Sequence, residues 1–238
     1  EGAKVDALIL LAEGNYDADN PLVYGSPLNE TDNPNVTGMR LARDLKHVAA
    51  TIRADVGARF FHVAMGGFDS HSNQERGFFH SYLLREVSEA VAGFYNEMNQ
   101  AVSLPGGYGG YETGNLASKV VIVTFSEFGR TIRQNAYSAG PAGTDHATSA
   151  PQLVTGGPVL GGQYGAYPDL DNPGSDNDDD LRMTYDFRDF FGTILARWLN
   201  VPVADLGPGP GKLLPATPEV DGDGNSYTAF TPIPFLPA

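Results

Sequence analysis

Two stretches of this sequence decide the predicted fold, because each joins an apolar run to a polar loop. Residues 59–71 read RFFHVAMGGFDSH, and residues 119–130 read KVVIVTFSEFGR. After one basic residue, each stretch continues with aromatic or β-branched residues, which are typical of buried strands. Each then becomes polar where such a strand should end. We therefore predict strands over Arg59–Met65 and Lys119–Phe125, each followed by a loop that carries chemically reactive side chains.

Two helices are predicted from apolar residues that recur every three or four positions. The first covers Thr37–Ala54, with Thr37 as its N-cap. The second runs from a capping box, formed by Ser72 and Glu75, to about Val102. These helices flank the first predicted strand, which indicates that strands and helices alternate along the chain.

The remaining elements complete an α/β pattern. A short strand is expected over Gln152–Thr155, and a third helix over Tyr185–Leu199 with Asp186 in its first turn. Alternating strands and helices are typical of a mostly parallel sheet flanked by helices. We predict one such domain over residues 1–200 and a Pro/Gly-rich irregular segment over residues 201–238 that follows the surface.

The composition favours cationic ligands over nucleic acid or membranes. The 238 residues include 15 basic and 29 acidic side chains, for a formal net charge of −14. This excess of negative charge repels nucleic acid and anionic membrane surfaces. Because the chain has no cysteine, any metal must be bound through oxygen or imidazole nitrogen. No apolar stretch reaches the roughly 20 residues that span a bilayer.

The loop after the first predicted strand holds a carboxylate and an imidazole two residues apart. At this spacing Asp69 and His71 can both reach one divalent cation. The alternative is that Asp69 caps a backbone turn while His71 precedes the helix expected at Ser72. The sequence alone leaves both interpretations open.

Two further groups of polar side chains follow the second predicted strand. Asp145 and His146 come after a run of small residues that can approach the sheet closely, and the alternative is an Asx turn with a solvated histidine. Glu127 could be a metal ligand or a general base, and Arg130 could clamp an anion; alternatively, these two form a structural salt bridge. We expect these residues to join the first pair in one pocket.

Two acidic segments lead to a different hypothesis. Residues 169–180 contain six aspartates, and residues 221–225 read DGDGN, which resembles the start of a calcium loop. An EF-hand needs glutamate at its twelfth position, where this chain has Pro232. We therefore interpret the second segment as a solvated loop.

Several motifs resemble those of a known bacterial family. In order between Gly66 and Asn200, the chain contains GGFDSHSNQ, VIVTFSEFGRT, GTDH and TYDFR. They are similar to motifs of the family called domain of unknown function 1501, which is placed with the alkaline phosphatase and sulfatase superfamily. The resemblance implies a parallel sheet with metals at its strand ends. It also implies a periplasmic or secreted protein, since family members tend to carry a twin-arginine export signal.

The same resemblance implies roles for individual residues. Asp69 and His71 would bind one metal, and His146 resembles a later metal histidine. Glu127 stands where the superfamily often has the aspartate of an Asp-His pair, and Phe128 replaces the histidine. Family members usually have a further N-terminal half, so the resemblance implies that this chain corresponds to the C-terminal half of the family. We therefore expect a companion chain or N-terminal segment that completes the sheet.

Together these observations lead to one hypothesis and one rival. The first is an exported protein that binds divalent zinc, calcium or manganese and hydrolyses a small phosphate or sulfate ester, with Arg130 and Glu127 as candidate catalytic residues. The rival is a noncatalytic secreted or surface protein that uses the fold and its acidic loops for assembly or calcium binding.

Overall fold

The computed structural model divides the chain into two compact units. The first comprises Glu1–Val120 and Ser138–Gly143, and the second comprises Val121–Tyr137 and Thr144–Ala238. The structure describes residues 40–75, 79–101, 114–135, 142–171, 173, 180–207, 213–214, 219–220, 226–227 and 229–237. None of the helices in these ranges is both long enough and apolar enough to cross a membrane.

Two long helices form the core of the first unit. Helix α1 covers Arg40–Arg53 and helix α2 covers Phe79–Met98. Their facing side chains recur at helical spacing and are buried: Leu41, Leu45 and Ala49 on α1, and Leu83, Ala90, Phe94 and Met98 on α2. The first predicted helix is therefore confirmed from residue 40 onward, whereas its predicted N-cap, Thr37, lies outside the described residues.

Buried polar side chains join the two helices at both ends. Near the start of α1, a carboxylate oxygen of Glu86 accepts a hydrogen bond from the backbone N–H of Leu41 at 3.5 Å. At the other end, the Arg53 guanidinium donates to the carbonyls of Glu97 at 2.6 Å and Gln100 at 3.2 Å. Helix ends leave such backbone groups without intrahelical partners, so these contacts satisfy them. They also show that the helices run in the same direction.

The connection between α1 and α2 differs from the prediction. Arg59–Met65 does not form a strand, and its side chains are not buried on both faces, as a central parallel strand requires. Phe60, for example, is 75% exposed. Helix α2 also begins later than the predicted capping box, because Asn73 has a left-handed backbone with φ of 57° and Ser72 forms a β-bridge with Ala142.

The second unit contains short antiparallel strands. Strand β1, Val121–Val123, pairs with β4, Val154–Gly156. Strand β2, Gly129–Arg130, pairs with β3, His146–Ala147. Strand β5, Glu219–Val220, pairs with β6, Ser226–Tyr227. All strands in the described residues belong to these three pairs.

The predicted fold class is therefore wrong. Strand positions near Val121 and Val154 were predicted correctly, but the described residues contain two-stranded antiparallel sheets and no mostly parallel sheet of the alkaline phosphatase type. Apolar periodicity indicates that a segment is extended and buried, and it carries no information about the direction of the partner strand. The pairing of Val123 with Val154 supplies that direction.

Helical segments follow the strands in the second unit. Helix α3, Phe187–Thr193, continues as a π-helix over Ile194–Trp198, and a short helix α4 covers Val203–Leu206. Asp186 is the N-cap of α3 and accepts a hydrogen bond from the N–H of Arg188 at 2.8 Å. The third predicted helix is thus confirmed.

Residues near position 235 are part of the hydrophobic core of the second unit, although an irregular surface segment was predicted there. The buried core consists of Phe190, Ile233, Phe235 and Leu236. The hydroxyl of Thr193, which is fully buried, accepts a hydrogen bond from the N–H of Ile233 at 2.9 Å and donates to the carbonyl of Asp189 at 2.6 Å. Side-chain hydrogen bonds therefore hold this irregular segment on α3.

The Arg53 contact leads to a pH-dependent prediction. Burial raises the pKa of Glu97 from its usual 4.5 to about 7, and it outweighs the opposing effect of the Arg53 Nε, which lies 3.9 Å away while the neighbouring N–H groups bind backbone carbonyls. The folded chain then holds a proton that the unfolded chain has lost between these pH values. The free energy of unfolding should fall as pH rises through this window, by at most about 3 kcal/mol.

Glu97→Gln removes this titration, so chemical unfolding at pH 5 and pH 8 should show a smaller loss of stability than in the wild type. Glu75→Gln, at an exposed position, is the matched control and should retain the wild-type loss. If Glu97→Gln and the wild type lost the same stability between pH 5 and pH 8, the titration of Glu97 would not be the cause of that loss.

A second prediction concerns the contact between Thr193 and Ile233. Thr193→Val keeps the side-chain volume but leaves the buried N–H of Ile233 without its hydroxyl acceptor. We expect a loss of about 1–3 kcal/mol in the free energy of unfolding, measured by urea denaturation. The exposed control Thr184→Val should change it by less than about 0.5 kcal/mol. Equal effects would show that the Thr193 hydroxyl does not hold the segment.

Candidate functional site

The loop at Asp69 and His71 presents both side chains outward from a buried residue. Ser70 lies between them, is only 8% exposed, and donates its backbone N–H to the carbonyl of Phe68 at 2.9 Å. Asp69 and His71 keep 58% and 42% of their side-chain surface exposed. Their Oδ1 and Nε2 atoms are 3.0 Å apart. The loop therefore holds a carboxylate oxygen and an imidazole nitrogen side by side.

Gly143 packs directly against the backbone of this loop. A Cβ atom at this position would overlap the carbonyl oxygen of Ser70 and the backbone of His71 and Ser72. The adjacent Ala142 forms the β-bridge to Ser72. The small-residue segment was expected to approach a sheet, whereas Gly143 packs against the loop at residues 70–72; residues 138–141 lie outside the described part.

The other candidate residues lie on the hairpin of β2 and β3 in the second unit. Its register places Arg130 opposite His146. Beyond this pair, the N–H of Thr131 donates to the carbonyl of Asp145 at 3.1 Å, and the N–H of Asp145 donates to the Thr131 hydroxyl at 3.1 Å. The Arg130 guanidinium also donates to the carbonyl of Thr144 at 2.8 Å. These bonds fix the backbone that carries the candidate side chains.

Aromatic and amide groups surround the charged side chains of this hairpin. The ring of Phe128 stacks on that of His146, with centroids 4.0 Å apart and planes 7° from parallel. The Arg130 guanidinium carbon lies 4.8 Å from the centroid of the Phe128 ring. Asp145 accepts a hydrogen bond from the Asn135 amide at 2.9 Å. Glu127 is exposed.

The structure distributes the predicted site residues between the two units. The first unit contains Asp69 and His71, and the second contains Glu127, Arg130, Asp145 and His146. The expectation that all six share one pocket stays a prediction. A cavity of about 110 Å³ in the first unit is lined elsewhere, by the end of α1 and residues near Leu116 and Lys119.

Sequence reasoning missed two residues that contact the candidate side chains. Phe128 was treated only as a replacement for a histidine, and Asn135 was not considered. An aromatic residue beside Arg130 could have indicated a stacking role. No sequence signal indicated Asn135, because its contact with Asp145 depends on how the chain returns after β2.

The Asp69 and His71 pair fits the chemistry of a divalent cation. Two ligand atoms about 2.1 Å from one ion are separated by roughly 3.0 Å at the right angle of octahedral coordination and by roughly 3.4 Å at the tetrahedral angle; these two atoms are 3.0 Å apart. A carboxylate with an imidazole suits zinc or manganese, whereas calcium prefers oxygen ligands. The same separation also suits a hydrogen bond from Nε2 to Oδ1, so a cation would have to replace that proton.

The close contact at Gly143 predicts that a single methyl group disturbs this loop. Gly143→Ala should lower the free energy of unfolding by about 1–3 kcal/mol and alter the spacing of Asp69 and His71, because the new Cβ overlaps backbone atoms. Urea denaturation measures the loss. Gly66→Ala is the matched control, since a Cβ at Gly66 meets no atom within 4 Å. Equal stability of the two variants would contradict the close packing.

Comparison with known proteins identifies the family. No curated protein and no solved structure matches this chain. Residues 44–202 match the family described as "Protein of unknown function (DUF1501)". The matched region covers about two thirds of the chain and includes both loops described above. The chain therefore belongs to the DUF1501 family.

Proposed function

We propose that this chain is an exported metal-binding protein that hydrolyses a phosphate or sulfate ester. One observation carries the proposal: the Asp69 Oδ1 and His71 Nε2 atoms lie 3.0 Å apart on accessible side chains. This separation matches that of neighbouring ligands on one ion. The net charge of −14 also favours the approach of a divalent cation.

The hairpin of the second unit supports the anionic substrate class. The guanidinium of Arg130 carries a permanent positive charge, and its contacts with the Thr144 carbonyl and the Phe128 ring fix its position. A fixed guanidinium binds phosphate and sulfate oxygens well. Asp145 and His146 on the facing segment offer a second carboxylate and imidazole, and Glu127 is an accessible acid that can act as a ligand or a base.

In the proposed reaction, water replaces the alcohol of the ester and releases inorganic phosphate or sulfate. A bound divalent cation would polarise the ester oxygens and stabilise the charge that develops on the transferred group. Arg130 would orient the anion, and Glu127 would accept a proton from the attacking water and return it to the oxygen of the departing alcohol. Zinc, manganese and calcium are the candidate ions, and the donor set favours the first two.

The motif resemblance supports the proposed substrate class and the proposed location. Resemblance to the alkaline phosphatase and sulfatase superfamily motivates the choice of phosphate and sulfate esters. The parallel sheet of that superfamily is not proposed for this chain. The export signals of similar proteins motivate a periplasmic or secreted location. A companion chain or N-terminal segment stays a prediction.

Metal binding is tested first with the purified chain. Isothermal titration with Zn²⁺ and Mn²⁺ should show binding that Asp69→Asn and His71→Gln each weaken by about tenfold or more, because each variant removes a ligand atom. His62→Gln, an exposed histidine of the same unit, is the matched control and should bind as the wild type does.

Catalysis is tested with the same proteins on aryl phosphates and aryl sulfates. Release of phosphate or sulfate should stop after chelation, return with the metal, and be lost in Asp69→Asn. Metal binding without release of either anion would contradict the hydrolase, and an absence of metal binding would contradict the whole proposal.

A noncatalytic assembly role is the second candidate. It is favoured by exposed apolar side chains beside acidic ones: Tyr167 is 80% exposed and Leu170 is 63% exposed, next to Asp169 and Asp171. In the metal titration, an empty Zn²⁺ site together with calcium-dependent self-association would favour this candidate.

A further inference from the structure

We infer that Phe128 positions the imidazole of His146 for binding a divalent cation, an inference that rests on the proposed function. The two rings are parallel within 7° and their centroids are 4.0 Å apart. At this distance and angle the two ring faces are stacked in van der Waals contact. Phe128 is therefore a positioning residue that acts through His146.

The backbone of His146 is already fixed, so the ring orientation is its main remaining freedom. Strand β3 pairs His146 with Arg130. The preceding residue, Asp145, is bound through both its N–H and its carbonyl to Thr131. Only the two side-chain torsions of His146 then decide where the imidazole points. The Phe128 face restricts the plane in which that ring lies.

A stacked ring is suited to metal binding because of where its lone pairs lie. The nitrogen lone pairs of imidazole lie in the ring plane, so contact with a ring face leaves both nitrogen atoms at the edge. The His146 residue as a whole is exposed. Metal-binding histidines are usually oriented by a hydrogen bond to the second nitrogen. A stacking contact orients the plane without occupying either nitrogen.

Phe128 is itself held by the hairpin. The Arg130 guanidinium carbon lies 4.8 Å from the centroid of its ring, within the range of a cation–π contact. The next residue, Gly129, packs so tightly that a Cβ atom there would overlap the carbonyl of Ser149. One aromatic ring thus contacts both the candidate anion clamp, Arg130, and the candidate metal ligand, His146.

Nuclear magnetic resonance of the metal-free protein tests the stack directly. The ring protons of His146, identified by their loss in His146→Asn, should be shifted upfield by the ring current of Phe128. The shift should disappear in Phe128→Leu and persist in Phe128→Tyr. Phe60→Leu, which removes an exposed phenylalanine of the first unit, should leave it unchanged. An unshifted His146 in the wild type would overturn the inference.

Zinc titration then tests the positioning role. His146→Asn defines the Zn²⁺ binding that depends on this imidazole, and Phe128→Leu should weaken that binding by about tenfold, as loss of an orienting contact does at other metal sites. Phe128→Tyr should keep wild-type affinity, and an unchanged urea denaturation midpoint in Phe128→Leu separates lost positioning from lost folding. Unchanged affinity in Phe128→Leu would overturn only the positioning role. Failure of the wild type to bind zinc, with the upfield shift intact, would overturn the proposed function.

Discussion

Side-chain to backbone hydrogen bonds are the interactions on which both units depend. The strands in the described residues are two or three residues long. Hydrogen bonds between paired strands therefore satisfy few of the backbone N–H and C=O groups. Buried polar groups without partners are costly, and side chains must supply the missing contacts. In the first unit Arg53 binds the carbonyls at the end of α2, and in the second Thr193 binds the N–H of Ile233. These polar residues are therefore buried for structural reasons.

Close backbone packing places the candidate residues. Gly143 lies against the loop of Asp69 and His71, and Gly129 lies against Ser149 beside Arg130. In both places the absence of a Cβ atom lets two segments approach more closely than any other residue would permit. Reactive side chains on irregular segments thereby gain fixed backbone positions without long strands.

Sequence patterns predicted the helices well because each helix satisfies its own backbone. The buried residues of α1 and α2 recur at the expected spacing, and Asp186 caps α3. A strand depends on a partner that no local pattern identifies, so Arg59–Met65 was wrongly assigned and the direction of β1 was missed. The burial of Phe235 was missed because the surrounding Pro-rich sequence has no periodicity. The candidate metal ligands could be recognised in the sequence because they are carboxylate and imidazole side chains. The stacking of Phe128 on His146 could not, because it follows from the register of β2 and β3.

The position of Phe235 and Leu236 in the second core has a consequence for the order of folding during synthesis. Helices α1 and α2 are complete once the ribosome has passed residue 98, so they can associate early. The second unit cannot complete the burial of Phe190 until residues 233–236 have been synthesised, more than 40 positions later. During that interval its apolar surface is exposed, and nascent chains in this state are natural clients for chaperones.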